Sequence, residues 1–331
     1  MPDVLVATPL KYSDVSRPYT FSDGISIREL SPILWDTSIA KIYVSEHERG
    51  ELAKVKYWLC VAKEVEYPYG GPDKDLYEKA QHAMSALQII CPSGAKNIFL
   101  KFLRAEQGYE NIGDLRPKEL CNTLLGRIAS LERQGLERDF EAVYAGVRRA
   151  FIEKIVRLQN PILLLGHGSQ IGNVNLGALM FVMGLDVLFM AGDTNTFMKR
   201  VGGFLGLDSY VFPATSLVHR QPRTLVRDVL SHLYEFRNIL AHGQEVPKQF
   251  FRQTYDLLST EGERINYEDY YGAELMLESG LFTLTTALRK IFVEGLVDEV
   301  KDHTKWRVKM MLYEHRYVDS GGILTVKKHG R

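Results

Sequence analysis

The stretch Thr224-Leu-Val-Arg-Asp-Val-Leu-Ser-His-Leu-Tyr-Glu-Phe-Arg-Asn-Ile-Leu-Ala-His-Gly243 reads as one amphipathic helix with an unusual end. Leu225, Val226, Val229, Leu230, Leu233, Phe236 and Leu240 recur at three- and four-residue steps, the spacing of a single helical face. Arg227, Asp228, Ser231, His232, Glu235 and Asn238 fall mostly off that face. Gly243 suits the left-handed position that stops a helix, which puts His242 in the last turn.

Arg237 and His242 stand five residues apart, about 140° around a helix of 3.6 residues per turn. Asn238 and His242 are four apart and share a face. Joint action of Arg237 and His242 therefore requires the helix to loosen at its end, or the pair to meet its copy from a second chain. The second geometry is a two-fold dimer with a shared cleft.

Arg237-Asn-x-x-x-His242 followed by Gly243, closing the third helix of an α-bundle, resembles the HEPN domain, a superfamily of RNA-cleaving four-helix bundles. A long apolar helix upstream and a final helix downstream make it most similar to the Apea-like subgroup, implicated in anti-phage defence. The resemblance spans Gly172 to Gly295. It implies a metal-independent endoribonuclease that leaves 2′,3′-cyclic phosphate ends and works as a homodimer presenting two motifs in one cleft. It places Arg237 and His242 in the catalytic roles, with Asn238 at the motif's common polar position.

Those residue types suit the reaction. Cleavage without a metal must take a proton from the 2′-hydroxyl, give one to the leaving 5′-oxygen and stabilise the phosphorane. Imidazole is the side chain suited to proton transfer near neutrality. A guanidinium offers a permanent planar charge to non-bridging phosphate oxygens. Asn238 can orient the ring or contact phosphate. Arg220 and Arg223, in a basic patch ahead of the motif helix, and Arg227 within it are the candidate RNA-binding residues. A non-catalytic module that binds RNA, a nucleotide or a protein partner remains the alternative. Arg237 would then pair with Glu235 or with a neighbouring helix, and His242 would only cap its own.

Composition narrows the remaining classes. Lysines and arginines balance aspartates and glutamates at 41 each, so no global field recruits nucleic acid and an RNA site must be local. Cys60, Cys91 and Cys121 lie far apart, which argues for a reducing cytoplasm and against a disulfide frame or zinc knuckle. No His-Glu-x-x-His or comparable ligand spacing occurs, so no metal and no cofactor is expected. The first residues lack the basic and apolar regions of a signal peptide. The most apolar run, Leu176 to Ala191, is interrupted by Asp186 and falls short of a membrane span, so it reads as a buried central helix.

The expected fold is α+β: a β-rich or mixed N-terminal module over residues 1–160, then an all-α bundle. Ile25–Arg28, Lys41–Val44 and Lys56–Ala62 read as strands, and Asp75–Ile90 as a helix. Helices are expected from Pro117 to Gly135 and from Leu136 to Gln159, the second carrying Arg148, Arg149, Lys154 and Arg157 on a solvated side. Asn160–Leu165 reads as a strand running into a Gly-rich linker, residues 161–171, that matches no phosphate-loop spacing. A four-helix bundle follows over 172–300, with Asp193 as the N-cap of a helix from Thr194 to Leu205, a loop over Ser209–Pro222, an amphipathic piece over Phe250–Leu258 and a last long helix over Tyr271–Val293. Residues 301–331 read as a basic tail in which either Trp306, Tyr313 and Tyr317 stack nucleic-acid bases or Trp306, Val308, Met310 and Ile323 pack a terminal hairpin. The expected role is a regulated toxin or anti-phage effector, held silent until the N-terminal module senses a ligand or a phage protein.

Overall fold

The computed structural model describes residues 3–10, 17–30, 45–64, 74–91, 100–105, 108–111, 136–206, 229–258 and 268–319. The protein is α+β and divides into two compact units, Met1–Arg148 and Arg149–Arg331. The expected strand at Lys41–Val44, the helix from Pro117 to Gly135, the loop over Ser209–Pro222 and Cys121 lie outside the described residues.

In the first unit, β1 (Asp3–Pro9), β2 (Tyr19–Thr20), β3 (Ile25–Arg28), β4 (Trp58–Glu64), β5 (Leu100–Ala105) and β6 (Gly108–Asn111) form one antiparallel sheet in the order β2-β3-β4-β1-β5-β6. β1 sits inside the sheet, with Val6 opposite both Val61 and Lys101. Leu5, Val6 and Ala7 are all buried although successive side chains point to opposite faces, so both faces of β1 are covered. A short helix, α1, spans Glu46–Leu52. Helix α2 (Lys74–Ile90) packs on β4 and β1 through Leu76, Ala80, Ala83, Met84 and Leu87.

Helix α3 (Leu136–Ile152) docks against a tight turn at Ser22–Gly24. The Phe21 and Phe140 rings stack at 4.0 Å. The Ser22 amide and hydroxyl donate to the Glu141 carboxylate at 2.7 and 2.5 Å, and Arg148 donates to Asp23 at 2.6 Å. The single helix expected over 136–159 is two. Lys154 takes a left-handed φ of 52°, and the amide of Ile155 closes back onto the Ala150 carbonyl at 2.9 Å, ending the first helix.

Helix α4 (Val156–Gln170) replaces the strand and Gly-rich linker expected over 160–171. Leu158, Ile162 and Leu165 are buried at helical spacing, a pattern a loop cannot satisfy. Gly168 serves close approach rather than a loop: a Cβ there would lie 2.6 Å from the Phe181 ring and 3.1 Å from the Gly177 carbonyl. The partner is α5 (Val174–Phe189), started by the Asn173 side chain accepting from the Leu176 amide at 3.1 Å. Helix α6 (Thr194–Leu205) begins as expected, with Asp193 accepting from the Thr196 amide at 2.9 Å.

Helices α7 (Leu230–Ala241), α8 (Lys248–Leu258), α9 (Glu268–Val293), α10 (Val297–Lys301) and α11 (His303–Asp319) complete the second unit. Helix α5 packs against α4, α9 and α7; α8 lies on α9, and α11 lies on α6. Ser279, Thr283 and Thr285 are buried in α9, and each hydroxyl donates to the carbonyl four residues earlier, so no polar atom among them is left stranded.

The basic tail is helical through Asp319. Trp306 is fully buried and its indole N–H donates to the Leu188 carbonyl at 2.7 Å; Met310, Tyr313 and Tyr317 are buried beside it. The expected hairpin is therefore a helix, Val308 faces outward, and Ile323 lies outside the described residues. Arg148, Arg149 and Arg157, around the α3–α4 junction, are engaged rather than simply solvated, while Lys154 is exposed. Arg149 pairs with Glu153 and Asp298, Arg148 with Asp23, and Arg157 donates to the Val300 carbonyl. Among the described residues no single helix is long and apolar enough to cross a membrane.

Substituting Gly168 by Val should force α4 and α5 apart and cost about 1–3 kcal/mol in urea unfolding. Gly166, with open space around its Cβ position, should accept Ala with a gain of about 0.5–1 kcal/mol.

Candidate functional site

The site grows from the packing of α7. Val229, Leu230, Leu233 and Phe236 are buried on one side, as the spacing requires, and Tyr234 joins them. Leu225 and Val226 lie outside the described residues, as do Arg220, Arg223 and Arg227. The helix ends in a two-bond reversal. The Gly243 amide meets the Leu240 carbonyl and the Gln244 amide meets the Ile239 carbonyl, each at 3.0 Å. This closure needs a left-handed residue, and Gly243 supplies it with a φ of 69°. His242 is the cap residue, exposed, with its amide still bonded to the Asn238 carbonyl at 3.1 Å.

Arg237 turns toward the bundle. Its Nη2 donates to Asp186 Oδ2 of α5 at 2.8 Å, and its Nη1 donates to Asn238 Oδ1 at 3.0 Å. The guanidinium carbon lies 5.3 Å from the centre of the Tyr234 ring, within cation–π range. The side chains of Arg237 and Asp186 are 27% and 14% exposed, so the pair is partly desolvated while the guanidinium keeps an open edge. Asp186 Oδ1 and Arg237 Nε are buried without a hydrogen-bond partner. Burial pushes the Asp186 carboxyl above the ordinary carboxylate range, against the pull of Arg237.

Of the three expected catalytic residues, the structure joins Arg237 and Asn238 and leaves His242 apart at the exposed helix end. Among the described residues the His242 ring makes no hydrogen bond. Asn238 was expected to orient that ring or meet phosphate, yet its amide oxygen is used to hold Arg237. Asp186 is a member of the site that spacing arguments miss. Its signal was present as the lone acid in an otherwise apolar helix, since a charge in such a place needs a partner.

His232, five residues before Arg237, belongs to the packing. Its ring stacks on Phe250 at 4.0 Å with 4° between planes, and Nε2 lies 2.6 Å from the Thr254 hydroxyl. That hydroxyl donates to the Phe250 carbonyl at 3.0 Å, so Nε2 is the donor to it. Burial pushes the imidazole pKa down to about 4. Among the described residues no cluster of three or more histidines, cysteines, aspartates or glutamates could hold a metal ion.

Two measurements check this site. Asp186→Ala strips Arg237 of its acceptor and should cost about 1–3 kcal/mol in urea unfolding, while Asp186→Asn, which keeps an oxygen there, should cost clearly less. For His232, the folded pKa lies below the unfolded one, so its contribution is whole above pH 6.5 and erodes as pH falls toward about 4. Melts across that window should lose about 1–3 kcal/mol in the wild type, and His232→Phe should flatten this part of the dependence. No protein family, curated protein or solved structure matches this chain.

Proposed function

We propose that the chain is a metal-independent endoribonuclease of HEPN type that acts as a homodimer in a reducing cytoplasm. The observation that carries this reading is the anchoring of Arg237. Asp186 and Asn238 hold the guanidinium from two sides, and His242 stands free one helical turn from Asn238. A cation held in place can meet developing phosphorane charge without reorganising.

His242 of one subunit takes the 2′-hydroxyl proton, and the 2′-oxygen attacks phosphorus. The bond to the 5′-oxygen breaks, and that oxygen takes its proton from His242 of the second subunit. Arg237 pairs with the non-bridging oxygens, and the products are a 2′,3′-cyclic phosphate and a 5′-hydroxyl. A second copy is favoured by the outer face of α5, where Leu176, Met183 and Val187 are exposed along the helix that carries Asp186. Cys60 and Cys91, both buried free thiols, fit a reducing compartment. In this reading the first unit senses a ligand or phage protein and releases the activity, and Arg220, Arg223 and Arg227 bind the RNA.

A second reading rests on the same ion pair. Arg237 already has a carboxylate partner, so a non-catalytic module that binds RNA, a nucleotide or a protein partner would show the same contact. Purified protein incubated with total RNA in EDTA separates the two. Cleavage that leaves cyclic-phosphate ends should fall by about 10²-fold or more in His242→Ala and in Arg237→Ala. RNA left intact by the wild type, or cut equally by both variants, supports the non-catalytic module.

A further inference from the structure

We infer that Arg200 of α6, anchored by Glu314 of α11, is the positioning residue that keeps Asp186 in reach of Arg237. Only its consequence for cleavage rests on the ribonuclease reading.

Asp186 stands in the last turn of α5, where its carbonyl takes the Met190 and Ala191 amides. The last carbonyls of a helix have no partners inside it, so such a turn unwinds unless outside donors take them. Here the donors come from α6 and α11. One nitrogen of Arg200 donates to the Phe189 carbonyl at 3.1 Å and to the Met190 carbonyl at 2.6 Å, and Trp306 takes the Leu188 carbonyl. Met190 has a left-handed φ of 51°, a conformation that a residue with a side chain keeps only when its surroundings enforce it.

Charge makes the same turn harder to hold. A carboxylate in a last turn faces the negative end of the helix dipole. Arg200 places a cation at that end, and its Nε donates to the Glu314 carboxylate at 2.6 Å. The Arg200 and Glu314 side chains are 16% and 30% exposed, so salt screens this clamp less than it screens a surface pair.

The turn matters because of what Asp186 does. Asn238 and Tyr234, which also touch the Arg237 guanidinium, lie on α7 with it and follow that helix wherever it goes. The bond to Asp186 is the contact that refers the guanidinium to α5. If the last turn of α5 unwinds, its acceptor moves and that reference is lost. Arg200 thus acts through Asp186.

The reactivity of Arg237 reads this effect without any substrate. The full chain is treated with phenylglyoxal, a dicarbonyl that condenses with guanidinium groups, and modification of Arg237 is timed by peptide mass spectrometry. Asp186→Ala gives the rate of a released Arg237, expected about fivefold above wild type, and Arg200→Met should reach the same rate. Glu314→Ala, a milder change, should raise it about threefold and decides alone if Arg200→Met does not fold. Asp186→Ala combined with Arg200→Met should be no faster than Asp186→Ala, as two changes acting on one bond require. Lys290→Met controls for general loosening, since Lys290 likewise donates to a carbonyl near a helix end, that of Phe204, and it should match wild type. Circular dichroism keeps only folded variants in the comparison. Wild-type rates in folded Arg200→Met and Glu314→Ala, an equal gain in Lys290→Met, or additive gains in the double variant overturn the inference. Cleavage of total RNA in EDTA should fall about tenfold or more in Arg200→Met. Undiminished cleavage by a variant whose Arg237 is released counts against the ribonuclease reading and leaves the positioning role standing.

Discussion

Helix α5 is apolar on nearly every side, and the second unit covers most of it while leaving Leu176, Met183 and Val187 outside. The helix carries little besides apolar side chains and glycine, so any face left to water costs free energy in proportion to its area. Helices α4, α9 and α7 pack on it, and Gly168 and Gly177 let α4 approach to backbone distance. The one carboxylate on that helix, Asp186, then lies where its charge is poorly hydrated. Arg237 is the answer from α7. The pair that anchors the candidate site is thus also the solution to a solvation problem created by packing.

This double role explains why the same contact supports two functional readings. A partly buried ion pair contributes little net stability once desolvation is counted, so it is not needed for the fold in the way the apolar contacts are. Its distinguishing property is orientation. Asp186 and Asn238 together fix the plane of the guanidinium, and a fixed plane matters to a phosphate more than to a helix.

Local chemistry was legible in the sequence, and distant encounters were not. Asp193 and Gly243 could be assigned because a cap and a left-handed stop depend only on residues within a turn. The apolar side of α7 was likewise visible in its spacing. Strand β1 was not, because Leu5, Val6 and Ala7 are covered on both faces and the alternation that marks a half-buried strand disappears. The glycines at 166, 168 and 172 imitate a loop, yet 166 and 168 lie in α4, and at 168 only the arrival of Phe181 explains why. Asp186 and Arg237 are separated by 51 positions, and nothing in the local pattern of either says which partner it will find.

The indole of Trp306 closes the far end of α5 by taking the Leu188 carbonyl, and 118 positions separate the two residues. A nascent chain leaving the ribosome exposes α5 and the motif helix long before that donor has been made. Completion of the hydrophobic interior therefore waits for α11 to emerge, and until then α5 is exposed to chaperones and proteases as unfinished surface. Whatever activity resides at Arg237 has to wait until α11 has been made.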